Sequence, residues 1–293
     1  MSNGCEKEIT KVQIAIKELR EAVKDLVTDD NKEYEDEYNL IRWLRAQNMD
    51  VKRAEKMLRH AHTWRLENHV EALVYEDLPQ DMIEKFPIFL DGFAKDGTPV
   101  SSIQAGRIDL AGQVKLLGRE KVLRYCTQIF AQGEKVLLDF NRKNNGNEPI
   151  HENSIRGAIA IVDFDQFSYR QVRSIEAVRT AIDICKIMTN YFPDLGSDMY
   201  TINCNMFSGI AMRLVRPVLE TPYLKFHVFG TNVNEWKEAI LSRIPADLIR
   251  PPFGGTKDER YVFVKPDCLN RPRSQYECSS DVAIEYLNSI LNM

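Results

Sequence analysis

The chain has 293 residues, 44% hydrophobic and 28% charged, the balance of a soluble globular protein with a full core and about two structural units. Lys plus Arg number 39 against 43 Asp plus Glu, and this net charge of −4 excludes a dedicated nucleic-acid binder. Six cysteines, at 5, 126, 185, 204, 268 and 278, stand far apart without a C-x-x-C pair, which predicts reduced thiols rather than a disulfide framework.

Ile9, Val12, Ile16, Leu19, Val23 and Leu26 recur at spacings of three and four and predict an amphipathic helix from Glu6 to about Val27, ended by the acidic stretch Asp29 to Glu37. A second helix carries Leu40, Ile41, Trp43 and Leu44. A third runs from Val51 to about Asn68 through Ala54, Met57, Leu58, Ala61 and Trp64. Beyond Pro79 the pattern changes: FPIFL and TPVSSI read as short strands around the turn DGFAKDG. Gly118 to about Phe140 is predicted helical, Asn141 to Pro149 a polar loop, and GAIAIVDF a buried strand.

The remainder alternates: a helix from about Gln171 to Tyr191, strand MYTINC, a helix from Met206 to Leu219, strand LKFHVFG and a helix from Glu235 to Arg243. After the turn-rich RIPADLIRPPFGGT, a short strand YVFV and a helix from Ser280 close the chain. Strands alternating with helices predict an α/β sheet with parallel pairs. No apolar run approaches the roughly 18 residues of a membrane span, and MSNGCEKEIT carries charges where a secretory leader is apolar. A cytoplasmic protein with peripheral, reversible membrane contact is expected.

Enzyme signatures are missing: the sequence contains no G-x-S-x-G, no G-x-x-x-x-G-K-[ST], no G-x-G-x-x-G and no H-E-x-x-H. Gly254 and Gly255 follow two prolines and read as a turn. His60 and His62, two apart on a helix, point roughly 200° apart and make a poor metal pair. Asp163 and Asp165 share a strand face, where binding water or capping the next turn outweighs catalysis. No catalytic residue, metal or cofactor is predicted.

The most informative segment is NMFSGIAMRLVRPVLE, from Asn205 to Glu220. On a helical wheel Gly209, Arg213, Arg216 and Glu220 fall within an arc of roughly 60°. Met206, Phe207, Ile210, Ala211, Met212, Leu214, Val215, Val218 and Leu219 cover much of the remainder. A surface helix needs an apolar stripe little wider than about 100°. Either this helix is buried between core layers, or it is a lid with one face on an internal apolar ligand and another able to meet a bilayer. As a lid it would carry Arg213 and Arg216 at the level of anionic headgroups, and Pro217, lacking an N–H, would disturb its last turn.

The strings LIRWLRAQNMDVKRAEKML, NYFPDLGSDMYTIN, RLVRPVLE and IPADLIRPPFGGT together resemble the CRAL-TRIO lipid-transfer family, in order and over about residues 35–265. Within it the chain is most similar to the branch containing supernatant protein factor. Relatives of that branch often carry a further β-sandwich where this sequence has one closing helix, which weakens the expectation of functions resting on that domain.

The resemblance implies an α/β fold: an N-terminal helical module over 1–76, a lipid-binding domain over 77–270 with a mixed sheet flanked by helices under a mobile gate, and a helical tail over 271–293. It implies one hydrophobic lipid in an apolar cavity, exchanged at membranes without catalysis. Cavity candidates are Ile159, Ile161, Ile202, Phe207, Ile210, Leu214 and Phe229; gate candidates are Met206, Phe207, Ala211, Arg213, Leu214, Arg216 and Val218.

In phosphatidylinositol-transferring members an acidic residue after the junction proline and a lysine opening a later strand hold the headgroup; those positions resemble Asp194 and Lys225. Asp194 is shorter than the usual Glu, and Leu195 stands where the yeast-type pattern has Arg, which weakens that expectation. Asp194 reads equally as a helix-end cap and Lys225 as a solvated strand start. Ser168 falls where some members place a headgroup hydroxyl, or caps a helix.

The expected partners are a phospholipid or isoprenoid ligand and a transient membrane surface, with no nucleic acid. The sequence leaves the lipid open among phosphatidylinositol, phosphatidylcholine, tocopherol, retinoid, squalene and sterol. The alternative function is a lipid-sensing scaffold that captures a protein partner.

Overall fold

The fold was obtained as a computed structural model that describes residues 2–28, 32–146, 148–258 and 267–270. Its elements run α1 (Ser2–Ala22), α2 (Glu37–Ala46), α3 (Val51–Glu67), α4 (Val70–Leu73), α5 (Gln80–Lys85), β1 (Ile88–Phe93), β2 (Pro99–Ile103), α6 (Leu110–Leu117) and α7 (Arg119–Asn145). They continue with β3 (Ala158–Asp163), α8 (Tyr169–Arg173), α9 (Ile175–Tyr191), β4 (Gly196–Ile202), α10 (Met206–Leu219), β5 (Lys225–Val228) and α11 (Val233–Arg243). The strand expected at 261–264 and the helix expected from Ser280 lie outside the described residues.

The first three helices form where the apolar spacing places them, and capping sets their starts. Asp36 accepts the Tyr38 N–H at 3.1 Å and Asp50 the Arg53 N–H at 3.0 Å. Val12, Ile16, Leu19, Leu40, Ile41, Leu44 and Leu58 bury together in one cluster, which Ile150 and Ile155 from the segment before β3 also enter.

Charge ties this module to the rest. Arg42 on α2 and Arg65 on α3 share the buried carboxylate of Glu134 on α7 at 2.8 and 2.7 Å. Trp64 stacks on Tyr191, ring centroids 3.9 Å apart.

Several boundaries differ from expectation: β1 runs through Phe93 into the predicted turn, β4 starts at Gly196, and two helix limits move. The loop predicted from Asn141 is helical through Asn145, because its polar residues serve tertiary contacts. Buried Asn141 donates to the Leu137 and Arg156 carbonyls and accepts the Arg156 N–H, and Arg142 pairs with Asp36. The helix predicted from Gln171 breaks at Ser174, whose hydroxyl accepts the Ala177 N–H at 3.2 Å and starts α9 afresh.

The sheet has the order β1-β2-β3-β4-β5, with β1 antiparallel to β2 and every later pair parallel. Each parallel step crosses over through helices, α6 and α7, then α8 and α9, then α10, and always moves the same way across the sheet. Right-handed crossovers therefore stack all of these helices on one face. On the other face Trp236, Ile240 and Ile244, from α11 and its end, bury with Val100, Ile159 and Ile161.

Candidate functional site

Strand alternation assigns every sheet residue to one of those faces. The register aligns Phe89, Ser102, Ile161, Tyr200 and His227 in one row, and Gly92, Val100, Ile159, Asp198 and Lys225 in the next. These rows meet α11. Ile159, Ile161 and Ile202 are fully buried there with Trp236, Ile240, Ile249 and Phe253, and Phe229 packs against the same cluster. The expectation that these four face a ligand cavity is corrected: they support the sheet from the α11 side. On this face Tyr200 stacks on His227, and Asp198 joins His227 at 2.8 Å and Arg243 at 2.7 Å.

The opposite face carries the alternate residues. One row reads Leu90, Ser101, Ala160, Met199, Phe226, and the next Ile88, Ile103, Val162, Thr201, Val228. Ile103 packs into a cluster with Val114, Val122 and Ile184 from the crossover helices, which confirms the side they occupy. Farther along, packing is incomplete: Ala160, Val162, Met199 and Phe226 are half-buried, and Val228 is 55% exposed. None of these belongs to a buried cluster among the described residues. The parity of the strands, read with crossover handedness, is the sequence signal that separates these residues from the buried isoleucines.

Helix α10 begins and ends where its sequence predicts. Asn205 caps it, accepting the Phe207 and Ser208 N–H groups at 2.9 and 3.0 Å, and the Ser208 hydroxyl returns to the Asn205 backbone. Pro217 lies in the last turn and the helix continues through it to Leu219. Its main packing is against α9 and α8.

The wheel resolves into two apolar faces. Met206, Ile210 and Leu214 are 70%, 40% and 45% exposed, beside exposed Arg213, Arg216 and Pro217. Phe207, Ala211, Met212, Val215 and Val218 are half-buried. The Phe207 ring meets Tyr169 at 6.0 Å, and the Arg216 guanidinium lies over the Phe226 ring at 5.2 Å, joining the end of α10 to the sheet.

Where α10 ends, a recess of about 220 Å³ opens between α2, α3, the end of α9 and the start of β4, lined among others by Met57, Met188, Thr189, Asp194, Val218 and Tyr223. Asp194 sits there in a left-handed conformation, φ +60°, with its side chain buried. Arg45 pairs with it at 2.7 Å, lies over the Tyr223 ring at 3.8 Å and also donates to the Glu152 and Ile155 carbonyls. Burial pushes the Asp194 carboxyl up to about 6, against the opposing pull of Arg45 and Arg42. Its carboxylate is thus committed to joining the N-terminal module to the sheet.

Lys225 is exposed at the start of β5, in the α11-facing row, and makes no ion pair among the described residues. Ser168 caps α8: its backbone N–H and its hydroxyl both donate to Gln171 Oε1, at 2.9 and 2.7 Å. It borders an open polar groove with Arg107, Asp109 and Arg170, away from the apolar rows. Asp163 closes a turn, accepting the Asp165 N–H at 2.9 Å and the Asn203 amide at 2.8 Å. His62 faces the Tyr34 hydroxyl at 3.2 Å. Gly254 turns the chain at φ +89°, and a Cβ on Gly255 would lie 1.9 Å from the Ile249 carbonyl oxygen.

Among the described residues no group of three His, Cys, Asp or Glu side chains is placed to hold a metal ion, and no helix is long and apolar enough to cross a membrane. The buried network of Arg42, Arg65 and Glu134 and the Arg45–Asp194 pair were not read from the sequence, because their partners lie 92, 69 and 149 positions apart.

This architecture is an α/β fold: a five-stranded, mostly parallel sheet flanked by helices and preceded by an N-terminal helical module. The CRAL/TRIO domain matches residues 83–255, and the chain belongs to that family, one of lipid-binding and lipid-transfer proteins. It is 26% identical over 253 residues to the SEC14 cytosolic factor of Eremothecium gossypii, covering 84% of this chain and 77% of that protein. It is also 26% identical over 226 residues to the Sec14 cytosolic factor of Schizosaccharomyces pombe, covering 75% and 74%. The crystal structure of Sfh5 shares the fold with a TM-score of 0.58 at 14% identity, over 100% of this chain and 99% of that one.

Proposed function

We propose that this protein binds one hydrophobic lipid against the apolar rows of its sheet and carries it to and from membranes, with α10 as the gate. The observation that carries the reading is the two-sided apolar character of α10. Phe207, Ala211, Val215 and Val218 face inward, while Met206, Ile210 and Leu214 stay in solvent. A lipid tail along Ala160, Val162, Met199 and Phe226 loses water contact, at roughly 25 cal/mol per Å² buried, which supplies affinity without a covalent step. At a bilayer the exposed face of α10 exchanges water for lipid and lowers the cost of moving the helix aside. Arg213 and Arg216 then lie at headgroup level, and the recess beside Asp194 takes the polar end of the ligand.

The test is native mass spectrometry of the purified protein with identification of what co-purifies, followed by transfer of labelled lipid between vesicles. Stoichiometric phospholipid or isoprenoid supports the reading. Leu214→Asp and Phe207→Asp should sharply slow transfer while the far-ultraviolet circular dichroism is unchanged. Wild-type rates in both variants would remove α10 from the gate role, and an empty protein that takes no lipid from vesicles would overturn the carrier and favour a partner-binding scaffold.

A further inference from the structure

Helix α7 has 27 residues, and every residue from Tyr125 to Asn141 is buried or half-buried. Gly133 stands in that stretch and is itself half-buried. Glycine in a helix interior lowers the folded-to-unfolded ratio about fivefold relative to alanine, and no steric demand for it exists here. Its backbone is helical, and a Cβ built on it meets nothing within 4 Å. Elsewhere glycine is required by close approach: a Cβ would fall 1.8 Å from the Asp165 carbonyl oxygen at Gly106 and 2.6 Å from the Gly196 carbonyl carbon at Gly157.

Helical spacing gives the direction of that open space. Val122, Cys126, Ile129, Leu137 and Phe140 lie within about 40° of Gly133 on the α7 wheel. Val122 and Cys126 bury in the cluster that Ile103 of β2 joins, and Phe140 stacks on Phe93 of β1, ring centroids 5.8 Å apart. Gly133 therefore lies between two levels at which α7 touches the first hairpin, opposite the row of Leu90, Ser101 and Ala160. Gly133 thus fronts the same sheet face that carries half-buried Ala160, Val162 and Met199.

We infer that Gly133 keeps the inner end of the lipid cleft open and so sets the length of the hydrocarbon chain the protein accepts. The inference rests on the carrier reading and adds a specificity-determining position to it. The ligand chemistry is a linear hydrocarbon, from either an acyl chain or an isoprenoid. Each methylene kept out weakens binding roughly fourfold, so a side chain that displaces two shifts the preference between long and short chains by more than about tenfold.

The experiment loads wild type, Gly133→Ala, Gly133→Phe and Ile129→Ala from vesicles holding long-chain phosphatidylcholine, short-chain phosphatidylcholine and squalene, and counts bound species by native mass spectrometry. Gly133→Ala should melt higher and keep the wild-type distribution. Gly133→Phe should move the phosphatidylcholine ratio toward short chains by more than about tenfold and exclude squalene; a loss confined to squalene or to long-chain phospholipid names the natural source. Ile129→Ala, which enlarges the Gly133 side of α7 where Ile129 packs against the cluster that Ile103 joins, should shift uptake toward longer chains and tests the inference even if Gly133→Phe does not fold. Wild-type distributions in both Gly133→Phe and Ile129→Ala overturn the Gly133 assignment alone, whereas no lipid on wild type overturns the carrier reading and the assignment together.

Discussion

Removing the carboxylate of Glu134 is expected to cost about 3–5 kcal/mol of stability. The side chains of Glu134, Arg42 and Arg65 are 5%, 2% and 5% exposed, so Glu134→Ala leaves two guanidiniums in the interior with their shared counter-charge gone. Arg65 keeps Glu71 at 2.8 Å and Arg42 keeps the Pro193 carbonyl, which holds the cost to the range for one lost buried partner. Against a typical total of about 5–15 kcal/mol that is a large share. In urea unfolding the midpoint should fall by about 1–2 M at unchanged slope.

Replacing all three residues by apolar side chains of similar volume should recover most of the loss, because the desolvation cost of the ions disappears with them. Acid adds a second reading. Burial works against the Glu134 carboxylate, but Arg65 and Arg42 outweigh it and hold the carboxyl below the ordinary glutamate value. Its contribution is complete above the unfolded-state value and is lost as pH falls through the lower folded one. A Glu134→Ala variant within about 1 kcal/mol of wild type at neutral pH would refute this account of how the helical module is held.

Asp194 has the opposite sign: its folded value, about 6, lies above the ordinary 3.8, so the folded state binds the proton more tightly and stability declines as pH rises from about 4 to 6. Asp194→Asn should remove a slope worth up to about 3 kcal/mol across that window, and an unchanged profile in urea melts would count against the burial argument. Ile161→Ala should cost about 2–4 kcal/mol of stability while lipid occupancy is retained, whereas Val162→Ala should alter lipid uptake with a smaller stability loss; the reverse pattern would invert the two faces of the sheet. Lys225→Ala should leave uptake of both phospholipid and tocopherol-like ligands at wild-type levels, and a selective loss of phospholipid would return Lys225 to the headgroup site.

Local periodicity and capping account for what was legible in the sequence. The three N-terminal helices, the hairpin, the alternation of strand and helix and the limits of α10 all follow from patterns spanning fewer than about 20 residues, the range over which apolar spacing and turn chemistry act. The lopsided wheel of α10 was legible for the same reason, but its two apolar faces were not assigned correctly: Ile210 and Leu214, expected to line the cavity, are on the exposed face with Met206, and Ala211 and Val218, expected on the membrane side, are half-buried with Phe207 and Val215. Ser168 and Asp163 resolve to the capping roles that their positions before turns allowed.

Tertiary structure alone decided the rest. Alternation along β3 and β4 separates Ile159, Ile161 and Ile202 from Ala160, Val162 and Met199, but which set meets α11 and which meets α10 depends on the handedness of crossovers through the whole sheet. Local pattern assigns Asp194 a cap or a headgroup contact with equal ease, and only folding brings Arg45 to it at 2.7 Å across 149 positions. The sequence by itself determined where elements form, because short-range backbone and apolar preferences act within a few turns. Packing determined which faces are core and which charges are joined, because burial and ion pairing are set by neighbours that the chain brings together only when it folds.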